Sequence, residues 1–241
     1  MKLIINADDF AYTKGVTQGI MEGYHHGIIR STTVLSNMPY LAYGASLVKD
    51  ADELGIGVHL TLTLGDALTH GKTITTNGTH FKSRKQFYEE LDHVDLQEVY
   101  DEFEAQIEHF IKVMNRCPDH LDSHHSVHDA KGLLEVSIKL AKRYHIPMRR
   151  YANAIYVPGF YGETATVDDL IALILQHKDE EAIEIMTHPG FCDLELYENS
   201  SYHTQRVVEL SVLCDERIKE VLHKEHIDLT NYKMLKSPLV L

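Results

Sequence analysis

Cysteine is scarce in this sequence, and its spacing excludes several classes of protein. The chain has only 3 Cys among 241 residues, and Cys117, Cys192 and Cys214 form no Cys-x-x-Cys pair. An odd number of widely separated cysteines gives no basis for a disulfide framework or a thiolate zinc site, and it favours a cytoplasmic location. The N-terminal residues turn acidic at position 8, too soon for a signal peptide, so none is expected.

Basic residues and long apolar runs are also few. There are 23 Lys and Arg residues against 36 Asp and Glu residues, which gives a formal net charge of −13. Nucleic acids and anionic membranes bind clustered basic residues, so neither is expected as the main partner. No apolar run approaches the roughly 18 residues that a membrane-spanning helix needs, so no span is expected.

Trp is absent, and neither repeats nor linkers rich in Pro, Gly or Ser divide the chain. Hydrophobic residues make up 44% and charged residues 24%, which is normal usage for a folded globular protein. A length of 241 residues fits one ordinary domain or one α/β barrel with a large core. The sequence therefore predicts a single domain over residues 1–241.

Short apolar runs alternate with amphipathic stretches along most of the chain. Helices are predicted from Thr13, as the capping residue, to a left-handed Gly27, then over 95–114, through 133–140, over 167–176 and over 207–222. Strands are predicted at 3–6, 32–35, 56–62, 120–122, 182–186 and 227–229, with a weaker one at 147–149. Strands that alternate with helices form a parallel sheet. We therefore predict an α/β fold, a distorted TIM-like barrel with about seven strands; an open doubly wound sheet is the alternative.

Residues that could carry chemistry lie at the carboxyl ends of these strands, where barrels and open sheets both keep their active sites. Asp8 and Asp9 directly follow the first apolar run. Two adjacent carboxylates repel each other unless a cation or hydrogen bonds offset the charge, although a solvated turn is the simpler interpretation. His59 lies inside the apolar strand Gly-Val-His-Leu-Thr-Leu, where a hydrogen-bonded core histidine is commoner than a ligand.

The segment 122–128, Asp-Ser-His-His-Ser-Val-His, is the strongest signal among the 17 histidines. Helix or strand propensity does not explain why three His, a Ser and an Asp occur within seven residues. On a strand, Asp122 and His124 share one face and His125 points away, whereas on a helix His124 and His128 share a face. Either way His124 is the best ligand candidate, with His128 behind it or in contact with substrate.

His188 stands at a Thr-His-Pro-Gly turn after a later strand, which suits the presentation of one imidazole; an incidental His in a turn is the plain alternative. One carboxylate and two imidazoles form an ordinary ligand set for a divalent metal with positions left open. Such a metal polarises a carbonyl and acidifies water, and a spare Asp and a spare His can serve as base and acid. No Gly-rich phosphate loop or Gly-x-Ser-x-Gly motif is present. The pattern indicates a metal-dependent hydrolase.

These motifs resemble the YdjC-like carbohydrate deacetylase family, which includes chitooligosaccharide deacetylase. The resemblance rests on five segments in order: Asn-Ala-Asp-Asp-Phe at 6–10, Ser-Thr-Thr at 31–33, Gly-Val-His-Leu-Thr at 57–61, His-Leu-Asp-Ser-His-His with Val-His at 120–128, and Thr-His-Pro at 187–189. The first and fourth segments are quite specific. Two positions depart from the family pattern, with Ala11 where Gly is frequent and Ser126 in place of a His.

The resemblance implies a distorted barrel of fewer than eight units and the removal of acetyl groups from N-acetylated chito-oligosaccharides in carbohydrate degradation. It implies Mg²⁺ as the cofactor, bound by Asp9, His59 and His124, with Asp8 as base, although imidazole ligands suit Zn²⁺ at least as well. His188 is then expected to protonate the leaving amine or to support the oxyanion. The expected partner is a small acetylated oligosaccharide. Whether the chain forms a homodimer is left open by the sequence.

Two other functions are compatible with the same residues. Metal-dependent phosphoester hydrolysis also uses Asp and His clusters on barrels, but it needs basic groups for phosphate, for which Arg149 and Arg150 are the obvious candidates. A non-catalytic sugar- or metal-binding regulator needs no base. Because Trp is absent, sugar stacking would fall to Tyr or Phe, with four candidates in the loop after Arg150: Tyr151, Tyr156, Phe160 and Tyr161.

Overall fold

The computed structural model describes residues 1–235, in which strands and helices alternate as the sequence predicts. Within this part, the strands are β1 (Lys2–Phe10), β2 (Ser31–Val34), β3 (Gly55–Leu60), β4 (Leu121–Ser123), β5 (Ile155–Tyr156), β6 (Ala182–Thr187) and β7 (Asp228–Leu229). The α-helices are α1 (Lys14–His26), α2 (Leu41–Leu47), α3 (Arg84–Glu89), α4 (Leu96–Met114), α5 (Leu134–Tyr144), α6 (Val167–Gln176), α7 (Leu194–Asn199), α8 (Thr204–Leu213) and α9 (Glu216–Lys224). Residues 236–241 of the predicted domain lie outside the described residues.

The strands form one parallel sheet in the order β4-β3-β2-β1-β6-β5, and β7 pairs with the start of β1. In a flat sheet, strands four places apart, such as β4 and β6, would lie about 19 Å apart, because neighbours are about 4.8 Å apart. Yet the guanidinium of Arg149 lies 2.8 Å from Asp122 of β4 and 2.8 Å from Glu184 of β6. The sheet is therefore strongly curled, and the predicted distorted barrel with about seven strands is confirmed in preference to an open sheet.

Helices cover the outside of this curled sheet, so β1 is buried along almost its whole length. The long helix α4 begins after Asp95, whose side chain accepts a hydrogen bond from Gln97 N. One face of α4 is buried, with Val99, Phe103, Ile107 and Phe110 fully buried, whereas the apolar Leu96 at its start is exposed. In residues 1–235, none of the helices combines the length and the apolar character that crossing a membrane requires.

The first helix confirms its predicted start but not its predicted end. Thr13 caps α1 by accepting a hydrogen bond from Val16 N at 3.2 Å. The prediction that Gly27 adopts a left-handed conformation is wrong, because its φ is −119° and its ψ is −152°. Gly27 is instead required by a close approach: a Cβ at this position would lie 2.5 Å from the carbonyl oxygen of Leu213.

Two other predicted elements need correction. The single helix over 207–222 is two helices, α8 and α9, because Asp215 accepts a hydrogen bond from Arg217 N and so starts a new helix. The weak strand at 147–149 is only an isolated parallel bridge between Leu121 and Met148. The strand that pairs with β6 is β5, which lies later in the same connection.

Candidate active site

A bulge at the end of β1 turns both Asp8 and Asp9 towards one cavity. The pairing of β1 with β2 shifts register between Ala7 and Phe10, and Asp9 has a φ of 69°. Adjacent residues of a regular strand point to opposite faces, but an inserted left-handed residue re-aims the side chains next to it. Asp is one of the few residues that tolerate this conformation. Local backbone geometry therefore explains how two consecutive carboxylates reach the same site.

All five predicted site residues line a single cavity of about 720 Å³ at the carboxyl ends of the strands: Asp8, Asp9, His59, His124 and His188. They come from β1, from β3, from the turn after β4 and from the turn after β6. Four separate segments of the chain thus bring titratable side chains to one place. Such convergence is typical of an active site on a barrel.

Asp9, His59 and His124 form a compact group in this cavity. His59 Nε2 lies 3.3 Å and His124 Nδ1 lies 2.9 Å from the same atom, Asp9 Oδ1. Their potential ligand atoms all lie within 4.8 Å of one another. One carboxylate oxygen and two imidazole nitrogens are suitable donors for a divalent cation. The predicted ligand set therefore could hold a metal ion.

The protonation of His59 supports this fit. Burial alone would lower the pKa of His59, but the carboxylates of Asp122, Asp9 and Asp8 raise it to about 10. In the metal-free chain, His59 therefore carries a proton that balances part of the surrounding negative charge. Its Nδ1 is held by Asp122 at 2.6 Å, which leaves Nε2 facing Asp9 and the cavity. A carboxylate hydrogen-bonded to the far nitrogen is the usual support of a metal-binding imidazole.

Arg206 contacts the other oxygen of Asp9 and was missed by the sequence analysis. Its Nη2 donates to Asp9 Oδ2 at 2.6 Å, so only Oδ1 remains turned towards the two imidazoles. Burial would raise the pKa of Asp9, but His124 and Arg206 together hold it well below its ordinary value. Asp9 is therefore ionised, and Arg206 limits it to one free oxygen.

Arg149 contacts three buried carboxylates, those of Asp8, Asp122 and Glu184. It donates to both oxygens of Asp8, at 2.8 and 2.7 Å, and also contacts Asp122 and Glu184. Glu184 accepts a further hydrogen bond from the hydroxyl of Tyr232. Asp8, His59 and Asp122 also have ligand atoms within 4.8 Å of one another. Because the guanidinium already supplies positive charge there, this second group is a poorer metal site.

The contact with Arg149 determines the charge of Asp8. Burial would raise the pKa of Asp8, but the charge and hydrogen bonds of Arg149 outweigh it and hold the pKa well below its ordinary value. Asn6 adds a hydrogen bond to Asp8 Oδ1 at 2.8 Å. Asp8 is therefore ionised and fixed in orientation, although a low pKa also makes it a weaker base.

His188 lines the same cavity as these carboxylates. Burial lowers its pKa to about 4, and the nearby charges of Asp8 and Asp9 offset this only in part. Its imidazole is therefore neutral near pH 7. The ring atom Nδ1 is buried and has no hydrogen-bond partner within residues 1–235, while the backbone N–H donates to Glu209.

The other two histidines of the 122–128 segment behave differently from each other. The prediction that His125 points away is wrong, because β4 ends at Ser123 and His125 adopts a left-handed φ of 55°. Strand alternation no longer applies there, and His125 lines the cavity with its Nδ1 at 2.9 Å from Thr63 Oγ1. His128 is buried against the hydroxyl of Ser123 and does not line the cavity.

Of the four aromatic residues considered for sugar stacking, only Tyr161 lines the cavity. Phe160 is in the core, and Tyr156 packs on Arg150. Sequence analysis missed three tyrosines that do line the cavity: Tyr12, Tyr88 and Tyr202. These four tyrosines come from separate segments of the chain and could not be associated from sequence spacing alone.

Some of the missed residues left a signal in the sequence. Arg206 and Glu209 share one side of α8 with Leu213, so two charges lie on a stripe that is otherwise apolar. Glu184 is a charge inside the apolar strand Ala-Ile-Glu-Ile-Met-Thr. Charged residues at core positions are rarely buried unless they have partners. Such positions mark buried polar networks even when the partners are unknown.

Known proteins are similar to this chain in sequence and fold. Residues 2–224 match the family described as YdjC-like protein. A carbohydrate deacetylase of Geobacillus stearothermophilus is 36% identical over 239 residues, which cover 95% of this chain and 96% of the relative. A crystal structure from Enterococcus faecalis V583, described as a proposed cellobiose-phosphate cleavage protein, has a TM-score of 0.90 at 35% identity and covers 97% of this chain and 98% of its own.

A more distant structure shares the fold alone. A family 4 carbohydrate esterase from Streptomyces lividans, in complex with acetate, has a TM-score of 0.55 at 12% identity, over 97% of this chain and 95% of that chain. The family match covers nearly the whole chain, and the Geobacillus relative is similar over almost its full length. This chain therefore belongs to the YdjC-like protein family.

Proposed function

We propose that this chain is a metal-dependent hydrolase that removes N-acetyl groups from acetylated amino-sugar oligosaccharides of the chito-oligosaccharide type, in carbohydrate degradation. The observation that carries the proposal is the approach of Asp9, His59 and His124 in a cavity that Asp8 and His188 also line. The name of the Geobacillus relative, carbohydrate deacetylase, supports the same reaction class.

Asp9, His59 and His124 are the proposed ligands of the metal. When bound, a divalent cation supplies Lewis-acid chemistry, because it polarises an amide carbonyl and acidifies water. We propose Mg²⁺ as the native metal, with Zn²⁺ as the alternative because two of the three ligands are imidazoles. Arg206 and Asp122 hold these ligands in orientation through Asp9 and His59.

Hydrolysis of an acetamide removes one proton from water and delivers one proton to the leaving nitrogen. Asp8 is the proposed proton acceptor, since it is ionised and lines the cavity. Arg149 fixes both of its oxygens, so the carboxylate does not rotate away from the reacting atoms. The same contacts with Arg149 that orient Asp8 also lower its pKa and so make it a weaker base.

His188 is the proposed partner on the other side of the substrate. Since its imidazole is neutral near pH 7, it can donate a hydrogen bond to the carbonyl oxygen as negative charge develops there. It can protonate the leaving nitrogen only after it has first gained a proton. The neutral state therefore favours support of the oxyanion as its first role.

Phosphoester hydrolysis is the second candidate, because the description of the Enterococcus structure names a phosphorylated sugar as the molecule that is cleaved. The two arginines that the sequence offered for phosphate are committed elsewhere, Arg149 to three carboxylates and Arg150 to Asp129 at 2.6 Å. Arg84 lines the cavity and has no salt bridge within the described part of the chain. A phosphorylated sugar could therefore be bound at Arg84 even when the acetamide is the group hydrolysed.

The test is to incubate metal-loaded protein with N-acetylated chito-oligomers and to assay both released acetate and released phosphate, with a sugar phosphate as a parallel substrate. Acetate release that is lost in His124→Ala and kept in His26→Ala, an exposed histidine on α1, supports the proposal. Phosphate release without acetate release would favour the second candidate. Sugar or metal binding without either product would favour a regulator.

We also propose a cytoplasmic location, because the three cysteines are free and two of them are partly exposed. A homodimer is the assembly to test, by light scattering of the purified protein.

A further inference from the structure

Glu209 is a buried carboxylate that contacts the site without lining the cavity. It lies on α8 with no exposed surface, and its Oε2 accepts a hydrogen bond from the backbone N–H of His188. Its Oε1 accepts a hydrogen bond from the hydroxyl of Tyr202. Both partners line the cavity, so Glu209 contacts the site through two separate residues.

The choice of partners argues against a purely structural role. Arg206 lies three residues earlier on the same side of α8, which is the usual spacing of a helical ion pair. The guanidinium of Arg206 nevertheless donates to Asp9, and the carboxylate of Glu209 accepts from His188 and Tyr202. Two opposite charges on one buried helix face thus both hold cavity residues rather than each other.

Tyr202 extends this contact to another loop. Its hydroxyl accepts a hydrogen bond from Gly162 N at 2.8 Å while it donates to Glu209. Its ring stacks on Tyr161, with centroids 4.3 Å apart and planes 12° apart. His188 meets both rings edge-on, at 5.5 Å from Tyr161 and 5.8 Å from Tyr202. One carboxyl group therefore links the loop that carries Tyr161, the turn that carries His188 and the start of α8.

Tyr161 and Tyr202 have the properties of a surface for a sugar ring. Tyr161 is 50% exposed although it is stacked on one side, so part of its ring is available to a ligand. An aromatic ring with a polar tip packs well against a ligand that is apolar on one face and hydroxylated at its edge. His188 contacts the edges of both rings, so a sugar ring on this surface would lie next to His188.

We propose that Glu209 is a positioning residue that fixes His188 relative to the Tyr161–Tyr202 stack, so that a sugar ring held on the stack presents its acetamido group to His188. This inference rests on the proposed deacetylase function. Glu209 touches no reacting atom and acts through His188 and Tyr202. Misplacement of a reacting group by about 1 Å can lower a rate about 100-fold, which sets the scale of the expected effect.

The kinetic test compares Glu209→Gln with Glu209→Ala. Gln keeps an acceptor for His188 N and can donate to the oxygen of Tyr202, so kcat is expected to stay within about 3-fold of wild type. Ala removes both contacts, and kcat is expected to fall by roughly 10- to 100-fold with unchanged metal affinity. In a His188→Ala background, Glu209→Ala is expected to lower kcat by a smaller factor than in wild type, because the part of its effect that passes through the His188 ring is already lost. Glu220→Ala, an exposed carboxylate on α9, is the control for loss of a charge.

A second readout needs no activity. The NMR signal of the His188 ring, assigned by its absence in His188→Ala, is expected to broaden or shift in Glu209→Ala and to stay as wild type in Glu209→Gln. If wild type releases no acetate, the proposed function fails and this signal alone decides the positioning role. An unchanged ring signal in folded Glu209→Ala, or an equal loss of kcat in both backgrounds, would overturn the inference.

Discussion

Two buried clusters of charge meet at the carboxyl end of the barrel and differ in how they are balanced. The cavity cluster consists of Asp9, His59, His124 and Arg206, and the core cluster consists of Asp8, Asp122, Glu184 and Arg149. In the core cluster, one guanidinium contacts all three carboxylates. In the cavity cluster, Arg206 contacts one oxygen of Asp9 and leaves the other oxygen facing two imidazole nitrogens. Only the cavity cluster therefore leaves ligand atoms that a metal could use.

The comparison shows that a group of buried acids is not by itself a metal site. Asp8 and Asp9 are consecutive residues, equally buried and both ionised, yet Arg149 holds both oxygens of Asp8 whereas Arg206 holds only one oxygen of Asp9. The number of oxygens left free, rather than burial or charge, separates a candidate ligand from a candidate base.

The largest effect is expected from Arg149→Met, which removes the cation of the core cluster. Three buried carboxylates lose their shared partner, so the free energy of unfolding should fall by about 3–5 kcal/mol at pH 7. In wild type the pKa of Asp8 is lowered, so its contribution to stability is present above about pH 4 and is lost as pH falls. In the variant, burial without a cation raises the carboxyl pKa values, so stability should instead fall as pH rises.

Urea unfolding of Arg149→Met, Arg149→Lys and wild type at pH 5 and pH 8 measures this change. Lys keeps a charge but not the two parallel hydrogen bonds to Asp8, so it should be intermediate. Equal stability of Arg149→Met and wild type at pH 8 would show that the core cluster does not depend on its cation.

The paired variants Asp8→Asn and Asp9→Asn test the difference between the two clusters directly. Asp9→Asn should weaken metal affinity, and excess metal should partly restore activity. Asp8→Asn should bind metal normally yet lower turnover by roughly 10²–10⁴-fold at any metal concentration, because the proton acceptor is lost. Calorimetric metal titrations with parallel acetate assays distinguish the variants. Rescue of Asp8→Asn but not Asp9→Asn by metal would reverse the two roles.

His124→Ala should lower metal affinity by more than about 100-fold. Loss of a residue that only hydrogen-bonds to a metal ligand already lowers metal affinity by about 10- to 100-fold, and His124 is a proposed ligand itself. His125→Ala is the matched comparison, because its ring is adjacent, at 3.9 Å between centroids, but its Nδ1 is 2.9 Å from Thr63 Oγ1. Metal analysis of both purified variants gives the result. Normal metal content in His124→Ala would remove the proposed site.

The smallest effect is expected from Glu209→Gln, in the pH dependence of stability. Burial raises the pKa of Glu209 to about 7, although Tyr202, the backbone of His188 and Arg206 oppose this and Asp8 adds to it. A raised folded pKa means that wild type loses stability as Glu209 ionises between about pH 4.5 and pH 7. Gln does not ionise, so the variant should gain on the order of 1–3 kcal/mol relative to wild type across this range. A constant difference between their unfolding free energies at pH 4.5 and pH 7.5 would contradict the assignment.

Much of the fold could be predicted because its signals are local. The span of α6, Val167–Gln176, coincides with the predicted 167–176, and Thr13 caps α1 as predicted. Periodicity and capping depend on residues within a few positions of each other, so they can be recognised without knowledge of the tertiary structure. The break between α8 and α9 was missed because Asp215 is compatible with a helix interior or with a cap, and only the surroundings decide.

The position of the Asp and His side chains at the carboxyl ends of parallel strands could be predicted from sequence alone, because each of them lies within or just after a predicted strand. The sequence could not determine the orientation of His125 or the partners of Arg149 and Arg206. Those depend on a left-handed turn after β4 and on strands and helices more than a hundred residues apart in sequence. Only the curl of the sheet brings such groups within hydrogen-bonding distance, and a buried charge finds its partner only in the folded chain.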